Sequence, residues 1–202
     1  MSLRTLVKVS NVTNLSDARY CAGMGVEWLG FSMDELVPER VAEMRGWVAG
    51  VRIVGETAAT DADRIAGLVE RFQPDVLEIT QASLLPHLKS LGTPLALRLD
   101  VATLSAHDVE QELGTAQGQV EYALLTSSDE FARLETADFD RLDRLAFRYP
   151  ILLGYGLRES NLDEVLRDVP LRGVAFTGGD EPRPGYLNSD ELMTMLELLE
   201  ED

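Results

Sequence analysis

Short apolar runs alternate with amphipathic stretches along the whole chain. The runs Thr5–Ser10, Glu27–Phe31, Val51–Gly55, Asp75–Thr80, Leu95–Leu99, Tyr122–Thr126, Ile151–Gly154 and Gly173–Thr177 have the length and apolar content of buried strands. Apolar residues at helical spacing occupy Asn14–Gly23, Pro38–Val48, Asp61–Arg71, Ser83–Leu91, Ser105–Leu113, Asp138–Phe147, Ser160–Leu166 and Ser189–Leu199. Eight strand–helix units in 202 residues predict a (β/α)8 barrel, a single domain over residues 1–202 with short loops. A doubly wound open sheet is the competing architecture, but no Gly-x-Gly-x-x-Gly follows the first strand. No linker or low-complexity segment divides the chain.

The first unit, Val7-Lys8-Val9-Ser10-Asn11-Val12-Thr13-Asn14-Leu15-Ser16-Asp17-Ala18, shows the logic most clearly. It predicts a strand, a short turn and a helix capped by Asn14, with Asp17 adding negative charge to the first turn. Strand side chains alternate faces, so Lys8 and Ser10 share one face. The same alternation sends Glu78 and Thr80, Arg98 and Asp100, and Tyr122, Leu124 and Thr126 inward, while Leu95, Leu97 and Leu99 face the helices. Lys8, Glu78 and Arg98 then form either an internal ion network or, at Lys8 or Arg98, a contact to a ligand's anionic group. In such a barrel the site gathers where the strands end at their C-termini.

A formal net charge of −17 argues against nucleic acid or an anionic membrane as partner, because both need clustered Lys and Arg. It does not exclude a small anion held on backbone N–H groups. The one cysteine, Cys21, rules out an internal disulfide and suits a packed position on the first helix. His87 and His107 read as surface residues. The chain starts without a signal-peptide hydrophobic region and has no apolar run near bilayer length, so a cytoplasmic protein is expected, as monomer or homodimer. No cofactor is called for.

The first unit resembles that of the phosphoribosylanthranilate isomerase family, Lys-Ile/Val-Cys-Gly-Ile/Val/Leu-Thr followed by Asn-Leu-x-Asp-Ala. Lys8, Thr13, Asn14, Leu15, Asp17 and Ala18 fit; Ser10 stands in place of the family's catalytic cysteine and Asn11 in place of its glycine. The resemblance extends over nearly the whole chain. Leu153-Gly154-Tyr155-Gly156-Leu157 is similar to Leu-x-Gly-Gly-Leu, Val174-Ala175-Phe176-Thr177-Gly178-Gly179 to Val-Asp-Val-Ser-Ser-Gly, and Pro184-Gly185 to a Pro-Gly before the last helix. Departures are equally specific. Thr126 replaces the catalytic aspartate of Leu-Leu-Asp, Glu78-Ile79-Thr80-Gln81 stands for Gln-Leu-His-Gly, and Ser127-Ser128-Asp129-Glu130 for a glycine-rich loop. The Pro-Lys-Ser-x-Arg loop, with its substrate-contacting arginine, is absent after Phe31-Ser32-Met33.

The resemblance implies an Amadori rearrangement of a phosphoribosyl amine, in which an acid protonates the ring oxygen and a base removes the C2′ proton. Ser10 and Thr126 are poor replacements for that pair. Asp34, Glu35, Glu56, Asp100, Asp129, Asp180 and Glu181 are expected at the rim; Asp100 and Asp129 lie nearest the strand ends and are the candidate substitutes. A rim pair could also hold a divalent cation, but a chain this acidic places carboxylates at strand ends by chance, and no metal is assigned. Gly154, Gly156, Thr177, Gly178 and Gly179, after strands seven and eight, are candidates for a phosphate cradle, with Lys8 and Arg98 as further substrate contacts and Arg158 and Arg183 nearby. Tight turns would demand the same glycines. The expected function is a diverged isomerase-like barrel acting on or binding a phosphorylated small molecule without efficient isomerase activity. The alternatives are a working isomerase with substituted residues and a non-catalytic scaffold.

Overall fold

Strands numbered in chain order, β1 (Leu6–Ser10), β2 (Trp28–Ser32), β3 (Arg52–Glu56), β4 (Val76–Ile79), β5 (Leu95–Asp100), β6 (Ala123–Thr126), β7 (Ile151–Gly154) and β8 (Gly173–Thr177), pair in parallel with their neighbours, and β8 returns to β1. Closure runs over five registered pairs, from Leu6 with Gly173 to Ser10 with Thr177. The computed structural model describes residues 2–129, 131–178 and 190–201. It is the expected (β/α)8 barrel, with α1 (Leu15–Met24), α2 (Pro38–Arg45), α3 (Ala62–Phe72), α4 (Leu85–Leu88), α5 (Ala106–Ala116), α6 (Thr136–Arg148), α7 (Leu162–Asp168) and α8 (Asp190–Leu198) outside the sheet.

Local chemistry accounts for the helix ends. The Asn14 side chain accepts a 2.8 Å hydrogen bond from the Asp17 backbone N–H and donates to the Asp17 carboxylate at 3.1 Å, so cap and first-turn acid form one device. At its other end α1 stops at Gly25, whose φ of +85° is left-handed. The fourth unit departs from expectation. In place of a helix over Ser83–Leu91 there are two 3-10 turns, Ala82–Leu84 and Lys89–Leu91, around the four residues of α4. Pro86 denies that segment a backbone donor, and Gly92 in the left-handed region ends it.

Alternation sorts the strand residues into two cores. Trp28, Val54, Val76, Ala96, Tyr122, Leu124, Leu152 and Ala175 fill the barrel, with the Trp28 and Tyr122 rings 5.0 Å apart. Val7, Val9, Leu29, Ile53, Leu77, Leu95, Leu97, Leu99, Leu125 and Leu153 face the helices. Cys21 is buried there, and burial pushes its thiol up to about 12. His87 and His107 are both exposed, as expected. Among the described residues no helix is long and apolar enough to cross a membrane.

Candidate functional site

Charge inside the barrel is concentrated at its C-terminal half. Lys8 is fully buried and pairs with Glu56, also buried, and with Glu78 at 3.1 Å. Glu78 in turn accepts a 3.0 Å hydrogen bond from the Tyr122 hydroxyl and lies 3.8 Å from Nε of Arg98. The inward charges predicted from alternation therefore form an ion network, two cations against two carboxylates. The fourth member, Glu56, expected at the rim, does end β3 at the mouth, but its carboxylate does not face out. It is instead turned inward, because Gly30 on β2 leaves the space: a Cβ there would collide with the Glu56 carboxylate. Asn11 fixes the other carboxylate oxygen, its backbone N–H donating to Glu56 Oε2 at 3.1 Å. Asn11 does so from a left-handed φ of +52°, a conformation asparagine tolerates better than most non-glycine residues.

These pairings lock protonation states. Burial alone would lower the Lys8 pKa, but the carboxylates of Glu56 and Glu78 overcome it and hold the ammonium above its ordinary value. Burial would raise Glu56, and Lys8 overcomes that in turn, keeping it below the usual carboxylate range. Burial, reinforced by Glu78, pushes the Tyr122 hydroxyl well up. None of these three is poised to exchange a proton near neutral pH.

Above the network the strand ends open into adjoining cavities. The central one, about 400 Å³, brings together Ser10, Glu56, Arg98, Thr126, Gly154 and Thr177. Ser10 and Thr126 thus share a single cavity at the open end. A second, about 410 Å³, lies over β7 and β8 and is lined by Asp129, Gly154, Tyr155, Gly156, Thr177 and Gly178. A third, about 640 Å³, lies over β4 to β6, with Thr80, Arg98, Asp100, Thr126 and Ser128 on its wall. Arg98 is 30% exposed and lines both the first and the third. Lys8 lines none of them: it sits below, wrapped in its acceptors.

The two candidate substitute carboxylates differ in setting. Asp100 accepts from the backbone N–H groups of Ala102 at 2.9 Å and Ser128 at 3.0 Å, tying the loops after β5 and β6. Burial would raise its pKa, but the bonds from Ser128 and Ala102 hold it below the usual carboxylate range, so it is an ionised tie. Asp129 is exposed and accepts from the Phe131 N–H at 2.9 Å. Asp34, on the loop that lacks the expected arginine, binds the Thr57 hydroxyl at 3.0 Å and the Ala58 N–H at 2.8 Å. Among the described residues no His, Cys, Asp and Glu group is arranged to hold a metal.

The glycines of the expected cradle have unequal roles. A Cβ at Gly154 would meet Leu124 at 2.8 Å, and one at Gly156, where φ is +67°, would meet the Leu134 backbone at 3.1 Å. The Gly178 N–H is already given to the Ser10 carbonyl at 2.8 Å. Between them, the N–H groups of Tyr155, Gly156 and Leu157 have no acceptor among the described residues, and all three residues line the second cavity. Glu191, in the first turn of α8, lines it too. Gly179, Asp180, Glu181, Arg183, Pro184 and Gly185 lie outside the described residues.

No protein-family model and no curated protein matches the chain. Solved structures do. The phosphoribosylanthranilate isomerase of Thermotoga maritima superposes with a TM-score of 0.76 at 18% identity, over 96% of this chain and 98% of that one. That of Thermococcus kodakaraensis gives 0.72 at 20% identity, over 98% and 100%. An isomerase in complex with reduced 1-(o-carboxyphenylamino)-1-deoxyribulose 5-phosphate gives 0.72 at 18%, over 96% and 98%. The chain is therefore similar, in fold and over nearly its whole length, to phosphoribosylanthranilate isomerases.

Proposed function

We propose that this barrel is a diverged relative of phosphoribosylanthranilate isomerase that binds a phosphorylated small molecule at its C-terminal mouth and lacks efficient isomerase activity. The observation that carries this reading is the shared cavity of Ser10 and Thr126, on whose wall Glu56 is held as a carboxylate by Lys8. A hydroxyl there supplies neither the acid nor the base of an Amadori rearrangement, and a positioned acid or base contributes roughly 10²–10⁴-fold each. Neither Glu56, held ionised by Lys8, nor Asp100, held ionised by its loop, is a general acid at neutral pH.

Support for the phosphate comes from the unpartnered N–H groups of Tyr155, Gly156 and Leu157 above β7, in the region where barrels commonly hold phosphate. Arg98 supplies the cation at the centre of the mouth. One of the matched isomerases carries a ligand with a 5-phosphate, which suits the same reading.

The test is a turnover assay with phosphoribosylanthranilate beside titration of the full chain with ribose 5-phosphate and inorganic phosphate. The expected result is binding of the phosphates with turnover at least about 10⁴-fold below that of an ordinary isomerase. Ordinary turnover overturns the loss of activity, and no binding of either phosphate overturns the ligand class.

A further inference from the structure

Lysine carries three ammonium hydrogens and no acceptor. In Lys8 all three are spoken for, by Glu56, by Glu78 and by the Ser10 Oγ at 2.6 Å. The direction of that last bond is therefore settled: Lys8 donates and Ser10 accepts. The Ser10 hydroxyl keeps its own proton, for which no acceptor exists among the described residues, and Ser10 lines the central cavity. From the bond geometry we infer that Ser10 is a hydrogen-bond donor to the ligand, set by Lys8, and that the ligand presents a carbonyl or carboxylate oxygen to it.

Three features give the donor its strength. An oxygen that accepts from a buried cation becomes a stronger donor through its own O–H, because hydrogen bonds in a chain polarise one another. The ammonium is kept charged by its two carboxylates, so the polarisation persists throughout the neutral range. The Arg98 guanidinium opens on the same cavity and favours the same kind of acceptor, one carrying full or partial negative charge. A Ser-Lys nucleophile would need the opposite arrangement, a neutral amine accepting the serine proton. Lys8 is accordingly a positioning residue that acts through Ser10, and Ser10 selects for ligand chemistry.

This inference rests on the phosphate-binding reading above and adds to it the group at the other end of the ligand. Isothermal titration of the full chain with ribulose 5-phosphate and with inorganic phosphate separates the two. Ser10→Ala removes the donor and Ser10→Cys replaces it with a weak one. Both variants are expected to bind ribulose 5-phosphate about tenfold more weakly while inorganic phosphate changes less than about twofold. The ratio of the two affinities is the readout, since a purely structural role for Ser10 would leave it unchanged. An unchanged ratio in both variants overturns the inference and leaves phosphate binding standing. A wild-type protein that binds neither probe overturns both.

Discussion

Removing the ammonium of Lys8 is the sharpest perturbation of this fold. In Lys8→Met two carboxylates on neighbouring strands, 4% and 1% exposed, lose the cation they share. Arg98 is a weak replacement, since its Nε stands 3.8 Å from Glu78 and its head lies at the mouth. Breaking a buried pair by deleting one partner costs about 3–5 kcal/mol. For a chain of this size that corresponds to a fall in melting temperature of about 6–20 °C. The pH dependence identifies the cause. In the wild type Glu56 is held below its ordinary 4.5, so its contribution is present above that pH and is lost as pH falls through the lower folded value. Lys8 is held above its ordinary 10.5, so its contribution is complete below that pH and is lost only as pH rises past it. Stability from this network is thus level between about pH 5 and 10. In Lys8→Met only Arg98 and the Asn11 N–H still oppose the burial of Glu56, so Glu56 binds a proton on folding and stability rises as pH falls from 8 toward 5, the opposite of ordinary acid weakening. Urea denaturation at several pH values reads both effects. A loss below about 1 kcal/mol at pH 7, or no upward slope toward pH 5, would refute the claim that this network holds ionised, paired groups inside the barrel.

Smaller perturbations test the parts that aim this network. Gly30→Ala drives a methyl group into the Glu56 carboxylate and should cost about 1–3 kcal/mol in urea denaturation, more than the same change at Gly67, where a Cβ meets nothing within 4 Å. Asn11→Ala, at a left-handed φ, should lose about 1–2 kcal/mol, whereas Asn11→Gly should stay within about 0.5 kcal/mol of wild type, because the Glu56 contact is made by the backbone. Cys21 should resist iodoacetamide in the native protein at pH 8 and react once unfolded in urea; rapid native labelling would contradict its burial and raised pKa.

Much of this architecture is written in one-dimensional patterns. Ile151–Gly154 and Gly173–Thr177 form strands over those very residues, and the Asn14 cap and Asp17 emerge as one unit, because each depends on neighbours within a few positions. The inward set on β1, β4, β5 and β6 follows from period two alone. What fails does so for lack of a long-range partner. A helix over Ser83–Leu91 has the right spacing but too few residues around Pro86 to hold an α-helical ladder. Glycines after β7 and β8 look alike in sequence. Yet Gly156 is required by a left-handed φ and Gly178 sits beside the Ser10 carbonyl that takes its N–H, distinctions that only chain packing makes.

Glu56 is the instructive miss. A carboxylate at a strand's C-terminal end reads the same whether it meets water or turns into the barrel. The choice is made on β2, where Gly30 pairs with Val54 and leaves the volume beside it empty. It is reinforced from β1, where a buried Lys8 with three hydrogens demands acceptors. The missing signal was therefore an imbalance: two inward cations, Lys8 and Arg98, one visible inward acid at Glu78, and a second acid still to be found among residues sharing that face. Val54 and Glu56 satisfy the alternation, so the partner was identifiable from charge balance once the barrel register was known. The same accounting determines what Ser10 can do. Its chemistry is decided less by the hydroxyl itself than by the cation beneath it, whose remaining hydrogen turns an otherwise ambivalent group toward the cavity as a donor.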